Sequence, residues 1–244
     1  KHTRTYRRPG AAAATPNPYL SADAARTVEP HGSLEESWFG LRCDITPGVY
    51  ERAVPLTIGG ETARALCRED LLLHLCVHLA FHLIMGAPSF VQLLDFDVFL
   101  RRVHAEPSPV PGLPSSVSGF DWDFFLQRVR ATRAAPFAHA ALSLAHRLWG
   151  SPLPPLVAAD LAAACPPALR RYAGNLSLGD VLTRTQQPPL VTLRQRVQRG
   201  WADRREAARW AVGPAARWRV WRTLLEVWKT DTARRLARVQ NPGG

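Results

Sequence analysis

Three histidines, His74, His78 and His82, recur every four residues in the apolar run CREDLLLHLCVHLAFHL. Side chains at i and i+4 stack on one face of a helix. A row of imidazoles can hold a metal, or line a polar pocket for a phosphate or a base. Failing either, it is a core face whose histidines are each satisfied by an acid, because buried polar groups need partners. No Glu follows His74 or His78, so the general base of a zinc hydrolase helix is missing. As core groups, the histidines would pair with Asp95 or Asp97 on the following helix.

Those two acids raise a second possibility. GAPSFVQLLDFDVFL, residues 86–100, imitates a Gly-Ser element followed by Asp-x-Asp. On a strand, carboxylates at i and i+2 point the same way and could hold a pair of magnesium ions. However, Phe96, Phe99, Leu100 and Val103 are spaced as on a helix. On a helix Asp95 and Asp97 diverge by about 200°. Asp121 and Asp123 fail likewise, since they open a helix. In TVEPH, Glu29 is a lone strand carboxylate, and on its own terms a surface residue.

The elements that would position these groups are mostly helical. Arg26–His31 reads as a strand end with Pro30 at its edge. Ala53–Ile58 and Thr62–Leu66, joined by Gly59-Gly60, read as a β-hairpin. Residues 33–50 carry no clear pattern beyond a turn entering a short helix near Pro47. Helices are predicted over about 68–85, 89–103, 121–132 with Asp121 as N-cap, 135–149 ending at Gly150, and 155–164. A short helix follows Pro166-Pro167, and 174–189 reads as a loop. The expected segments are a poorly ordered basic and Ala-Pro stretch (1–26), a strand and hairpin region (27–66), a helical domain (67–173), a linker (174–189) and a basic Trp/Arg-rich helical tail (190–244).

The chain has 244 residues and a formal charge of +11, with much of the excess beyond Leu190. Such a balance favours anionic partners. Pro214 is placed to start a helix, on which Trp218, Trp221, Leu225 and Trp228 share a face among arginines. That face either packs on the domain, or meets nucleic acid or an anionic membrane. Cys43, Cys67, Cys76 and Cys165 lack metal-ligand spacing and read as free thiols in a reducing, cytoplasmic setting. No apolar run reaches the roughly 20 residues of a membrane span.

Taken in order, VEPHGSL, DITPGVYERAVPLTIGGETARALCREDLLLHLCVHLAFH, LLDFDVFLRR, FDWDFFLQRV and ALSLAHRLWGSPLP resemble the uncharacterised nucleotidyltransferase family of the polymerase-beta-like superfamily. The resemblance covers about residues 27–160. Glu29 and His31 match a Glu-x-His-Trp element, with Gly32 in place of Trp. His78 and His82 match the family's His helix, and Asp95 matches the Asp of the next helix. The fold so implied is mostly α: remnant strands and a hairpin of a nucleotidyltransferase-like α+β fold, followed by a helical domain. The implied activity is magnesium-dependent transfer of a nucleotidyl group from a nucleoside triphosphate to an unknown acceptor. Glu29 would be the third catalytic carboxylate and a magnesium ligand, while His78, His82 and Asp95 would line or organise the nucleotide pocket. The strand bearing the first two acids is expected upstream of Lys1, so the chain is expected to be the C-terminal portion of such a protein and inactive alone. The alternative is a non-catalytic helical binding module that uses the basic tail.

Overall fold

An 18-residue helix, α2 (Arg68–Met85), is the axis of the unit formed by residues 35–244 in the computed structural model. Leu72, Leu73, Cys76, Val77, Leu79, Ala80, Phe81, Leu83 and Ile84 are all buried. A helix that is apolar nearly all round must be covered on nearly all sides. The covering elements are β3 (Glu35–Trp38), α3 (Phe90–Ala105), α4 (Trp122–Ala131), α5 (Ala135–Trp149) and α9 (Leu193–Trp210). The structure describes residues 6–7, 27–28, 32–86, 90–105, 120–184 and 192–224.

The fold is mostly α with small antiparallel hairpins, as the sequence predicts. The helix boundaries follow local chemistry. Cys67 precedes α2, and Gly86 ends it in the left-handed conformation at φ 70°. Asp121 caps α4 by accepting from the Phe124 N–H. Gly150 ends α5 at φ 65°, where an L side chain is disfavoured. α6 (Pro155–Ala163) and α7 (Pro167–Asn175) each begin on a proline. The Gly59-Gly60 hairpin joins β5 (Val54–Ile58) to β6 (Glu61–Ala65).

Three features differ from the sequence reading. First, the unassigned stretch after Ser33 is a hairpin, with β3 paired to β4 (Leu41–Asp44) through the two-residue turn Phe39-Gly40. Both turn residues have positive φ, 45° and 75°. A primed turn of this kind usually carries Asn-Gly or Asp-Gly, so Phe-Gly hides it. A short helix, α1 (Val49–Arg52), follows as expected. Second, the segment read as a loop contains α8 (Leu178–Arg184). Ser177 and Asp180 cap it reciprocally: the Ser177 N–H donates to Asp180 Oδ2 at 2.8 Å and the Asp180 N–H to Ser177 Oγ at 3.1 Å. Gly179 in its first turn masks the helical signal.

Third, α9 is part of the core. Trp210 is 1 % exposed. Its ring lies 5.9 Å from Phe137 and 6.4 Å from Tyr172, and its indole N–H donates to Glu206 Oε1 at 3.2 Å. The helical segment 213–224, α10, follows with Pro214 near its start and Val220 fully buried. Among the described tryptophans of this region, Trp210 packs inward, while Trp218 is 63 % exposed. Leu225 and Trp228 lie outside the described residues. The β3–β4 turn seats α10, because a Cβ on Gly40 would stand 2.7 Å from the Arg219 carbonyl oxygen. Arg204 completes the joint, 4.2 Å over the Phe39 ring and 3.0 Å from Thr223 Oγ1.

The chain divides into two units, residues 1–34 and residues 35–244. In the first, β1 (Tyr6–Arg7) pairs antiparallel with β2 (Thr27–Val28). β2 falls within the predicted strand end, and β1 falls in the stretch read as poorly ordered. The rest of residues 1–26 lie outside the described residues. In the second unit both hairpins sit with the helices.

Candidate functional site

The partly exposed stripe of α2 carries His74, His78 and His82. Their rings form a ladder, with centroids 5.7 Å apart for the first pair and 4.5 Å for the second. The β3–β4 hairpin lies beside it. Its register places Glu36 opposite Cys43 and Trp38 opposite Leu41. Cross-strand partners share a face, and Cys43 and Leu41 are buried, so Glu36 is on the inner face of the hairpin. It reaches His78, with Nδ1 at 2.9 Å from Oε1. The outer face carries Arg42, which pairs with Glu35 at 2.8 Å.

The acid that pairs with His78 is therefore Glu36 on β3, and not Asp95 or Asp97 on the next helix. Asp95 is exposed on α3. Asp97, about 200° around that helix, is buried and fully engaged. It accepts from Arg101 Nε at 2.9 Å and from Ser151 Oγ at 2.5 Å, which ties α3 to the residue after the α5 cap. No motif in the sequence marks Glu36. The visible signal was its place two residues before Trp38, on the side of the strand that alternation sends inward.

The hydrogen bond from His78 holds the Glu36 carboxyl below the usual carboxylate range, helped by the charges of all three histidines against the opposing effect of burial. A depressed carboxyl stabilises the fold above its unfolded value, and that contribution fades as pH falls through the folded value. Glu36→Gln should lower the melting temperature at neutral pH by the equivalent of at most about 1 kcal/mol, since both partners are partly exposed. Melts taken down to acid pH should show the gap to the unmodified protein closing. A gap that widens toward acid would refute the pairing.

Beneath this surface lies a charged hub. Asp70, 1 % exposed, accepts from Arg52 Nε and from Arg128 Nε, both at 2.8 Å. Cys67 Sγ donates to it at 3.3 Å. Burial drives the Asp70 carboxyl up, but the two arginines outweigh it and hold it below the ordinary range. Burial pushes the Cys67 thiol up to about 11 and the Cys43 thiol to about 12. Thiols so raised stay protonated at neutral pH, so neither is a ready nucleophile or metal ligand.

Magnesium sites of a transferase need carboxylates converging on one point. The described residues do not fit that requirement. Asp70 lies between two arginines, Asp97 is held by Arg101 and Ser151, and Asp121 caps α4. Among the described residues no three His, Cys, Asp or Glu side chains are gathered to hold a metal ion. Glu29 and His31 lie outside the described residues. Among the described residues, no helix is long and apolar enough to cross a membrane.

The family model described as uncharacterised nucleotidyltransferase matches residues 1–150, more than half of the chain. The match takes in the first 26 residues, which the resemblance in sequence motifs had left out. No curated protein and no solved structure matches the chain. The matched span holds Glu29, His31, the Gly-Gly hairpin, His78, His82 and Asp95, the same residues that carried the resemblance. The chain belongs to the uncharacterised nucleotidyltransferase family.

Proposed function

We propose that the protein acts in nucleotidyl transfer. An acceptor oxygen bonds to the α-phosphorus of a nucleoside triphosphate, and pyrophosphate leaves. The observation that carries this reading is the family match over residues 1–150. Glu29 is the carboxylate assigned to the reaction centre and to magnesium. Residues 35–244 form a largely helical unit of their own. Within that unit His78 is a positioning residue, since it fastens β3 to α2 through Glu36. His82, next on the ladder, and Asp95, exposed on α3, are the residues this reading assigns to the nucleotide pocket.

The test is transfer of label from an α-labelled nucleoside triphosphate, with magnesium, by the full-length protein and by Glu29→Gln in the same full-length protein. The variant should lose at least the roughly 100-fold that removing an outer partner of a metal ligand can cost. Full activity in Glu29→Gln would remove that residue from the metal site. A protein that neither binds a nucleoside triphosphate nor transfers label would sink the reading as a whole.

A further inference from the structure

α9 and α10 enclose an open groove of about 320 Å³ lined by Val197, Gln198, Trp201, Ala202, Arg205 and Trp221. Its wall on α9 is the row Val197, Trp201 and Arg205, spaced i, i+4, i+8. The opposite wall is Trp221, whose ring centroid is 5.5 Å from that of Trp201. Trp201 is 55 % exposed, and Trp218, one turn before Trp221, is 63 % exposed.

Charge on this pair of helices is strongly one-sided. Residues 192–224 hold nine arginines against Asp203 and Glu206, a surplus of seven positive charges. Both acids are already taken, Asp203 by Arg199 and Glu206 by Arg209, each at 2.7 Å. They lie on the side of α9 that, with Leu83, Ile84 and Gly86, lines a second hollow against the end of α2. Arg204 is buried in the joint with Phe39 and Thr223. Arg194, Arg205, Arg217 and Arg219 are exposed, with no ion-pair partner among the described residues.

We propose that this groove binds single-stranded nucleic acid. The exposed Trp201 ring stacks on an unpaired base, and Arg205 in the groove wall, with the other exposed arginines of the same two helices, meets the phosphates. The shape favours this occupant over a membrane. A membrane-lying helix presents one continuous apolar face, whereas Trp201 and Trp221 line a slot between two helices with Arg205 in its wall. A duplex has no free base faces to offer. The proposal stands on these residues alone and does not depend on the transfer reading.

The test is anisotropy of a fluorescein-labelled 12-nucleotide oligouridylate with the full chain, beside heparin and phosphatidylserine-containing vesicles. Binding should fall with salt, with a log–log slope of about −2 for three phosphate contacts. Trp201→Ala should weaken oligouridylate binding about tenfold and leave heparin binding unchanged. Arg205→Glu should weaken both. Both side chains are exposed, so thermal melts of the variants should match the unmodified protein. Oligouridylate binding unaffected by Trp201→Ala would overturn the proposal. So would binding to vesicles without oligouridylate, dimerisation lost in Trp201→Ala, or binding seen only after residues 225–244 are removed.

Discussion

Asp70→Asn is expected to lower stability by about 3–5 kcal/mol, the usual consequence of removing one partner from a buried ion pair. Two guanidinium groups depend on this carboxylate. Arg52, with 28 % of its side chain exposed, can turn to water. Arg128, with 9 % exposed, cannot. It would keep only its hydrogen bond to the Ile45 carbonyl, at 3.0 Å. The loss should therefore come mainly through Arg128. Asp70→Asn combined with Arg128→Met should recover about 1–3 kcal/mol relative to the sum of the single changes, as expected for groups in one network. Urea melts of the four proteins give the cycle. The arginines hold the Asp70 carboxyl below its ordinary range, so its contribution is complete above the unfolded carboxylate value and fades as pH falls through the folded one. Acid unfolding should accordingly be less steep in Asp70→Asn. A cost below 1 kcal/mol would mean that α1, α2 and α4 do not depend on this hub.

Trp210→Ala is the second large effect, with an expected loss of about 3–5 kcal/mol for a large aromatic removed from a core. For a domain of this size that is a fall in melting temperature of roughly 10 °C. Trp210 closes the core between α5 and α7 through Phe137 and Tyr172, and Arg209 stacks 4.2 Å over the Tyr172 ring beside it. Trp218→Ala is the matched control: the same residue type on the next helix, exposed, with an expected change within about 0.5 kcal/mol. Thermal melts of the pair distinguish a structural α9 from an appended one. Equal small effects would mean that the basic region is only attached to the domain.

These two residues also mark where sequence reading stops. The helices over 68–85, 135–149 and 155–164 were legible because hydrophobic spacing and terminal chemistry are local properties. Asp121, Gly150 and the Gly59-Gly60 turn act within a few residues of themselves. α8 and the β3–β4 hairpin were missed for reasons just as local, since Gly179 weakens the helical signal and Phe39 occupies a turn position that favours Asn or Asp.

The sequence by itself determined the mostly helical class, the main boundaries of its central helices, and the family, because periodicity, caps and ordered motifs lie along the chain. The tertiary structure alone decided which groups meet. His78 finds Glu36 42 residues away and Asp70 finds Arg128 58 residues away. It also decided that Trp210 is buried while Trp201 and Trp218 face outward. A histidine, a buried acid or a tryptophan states its need for a partner in its own chemistry. Which partner answers depends on the packing of distant elements, and no local spacing encodes that.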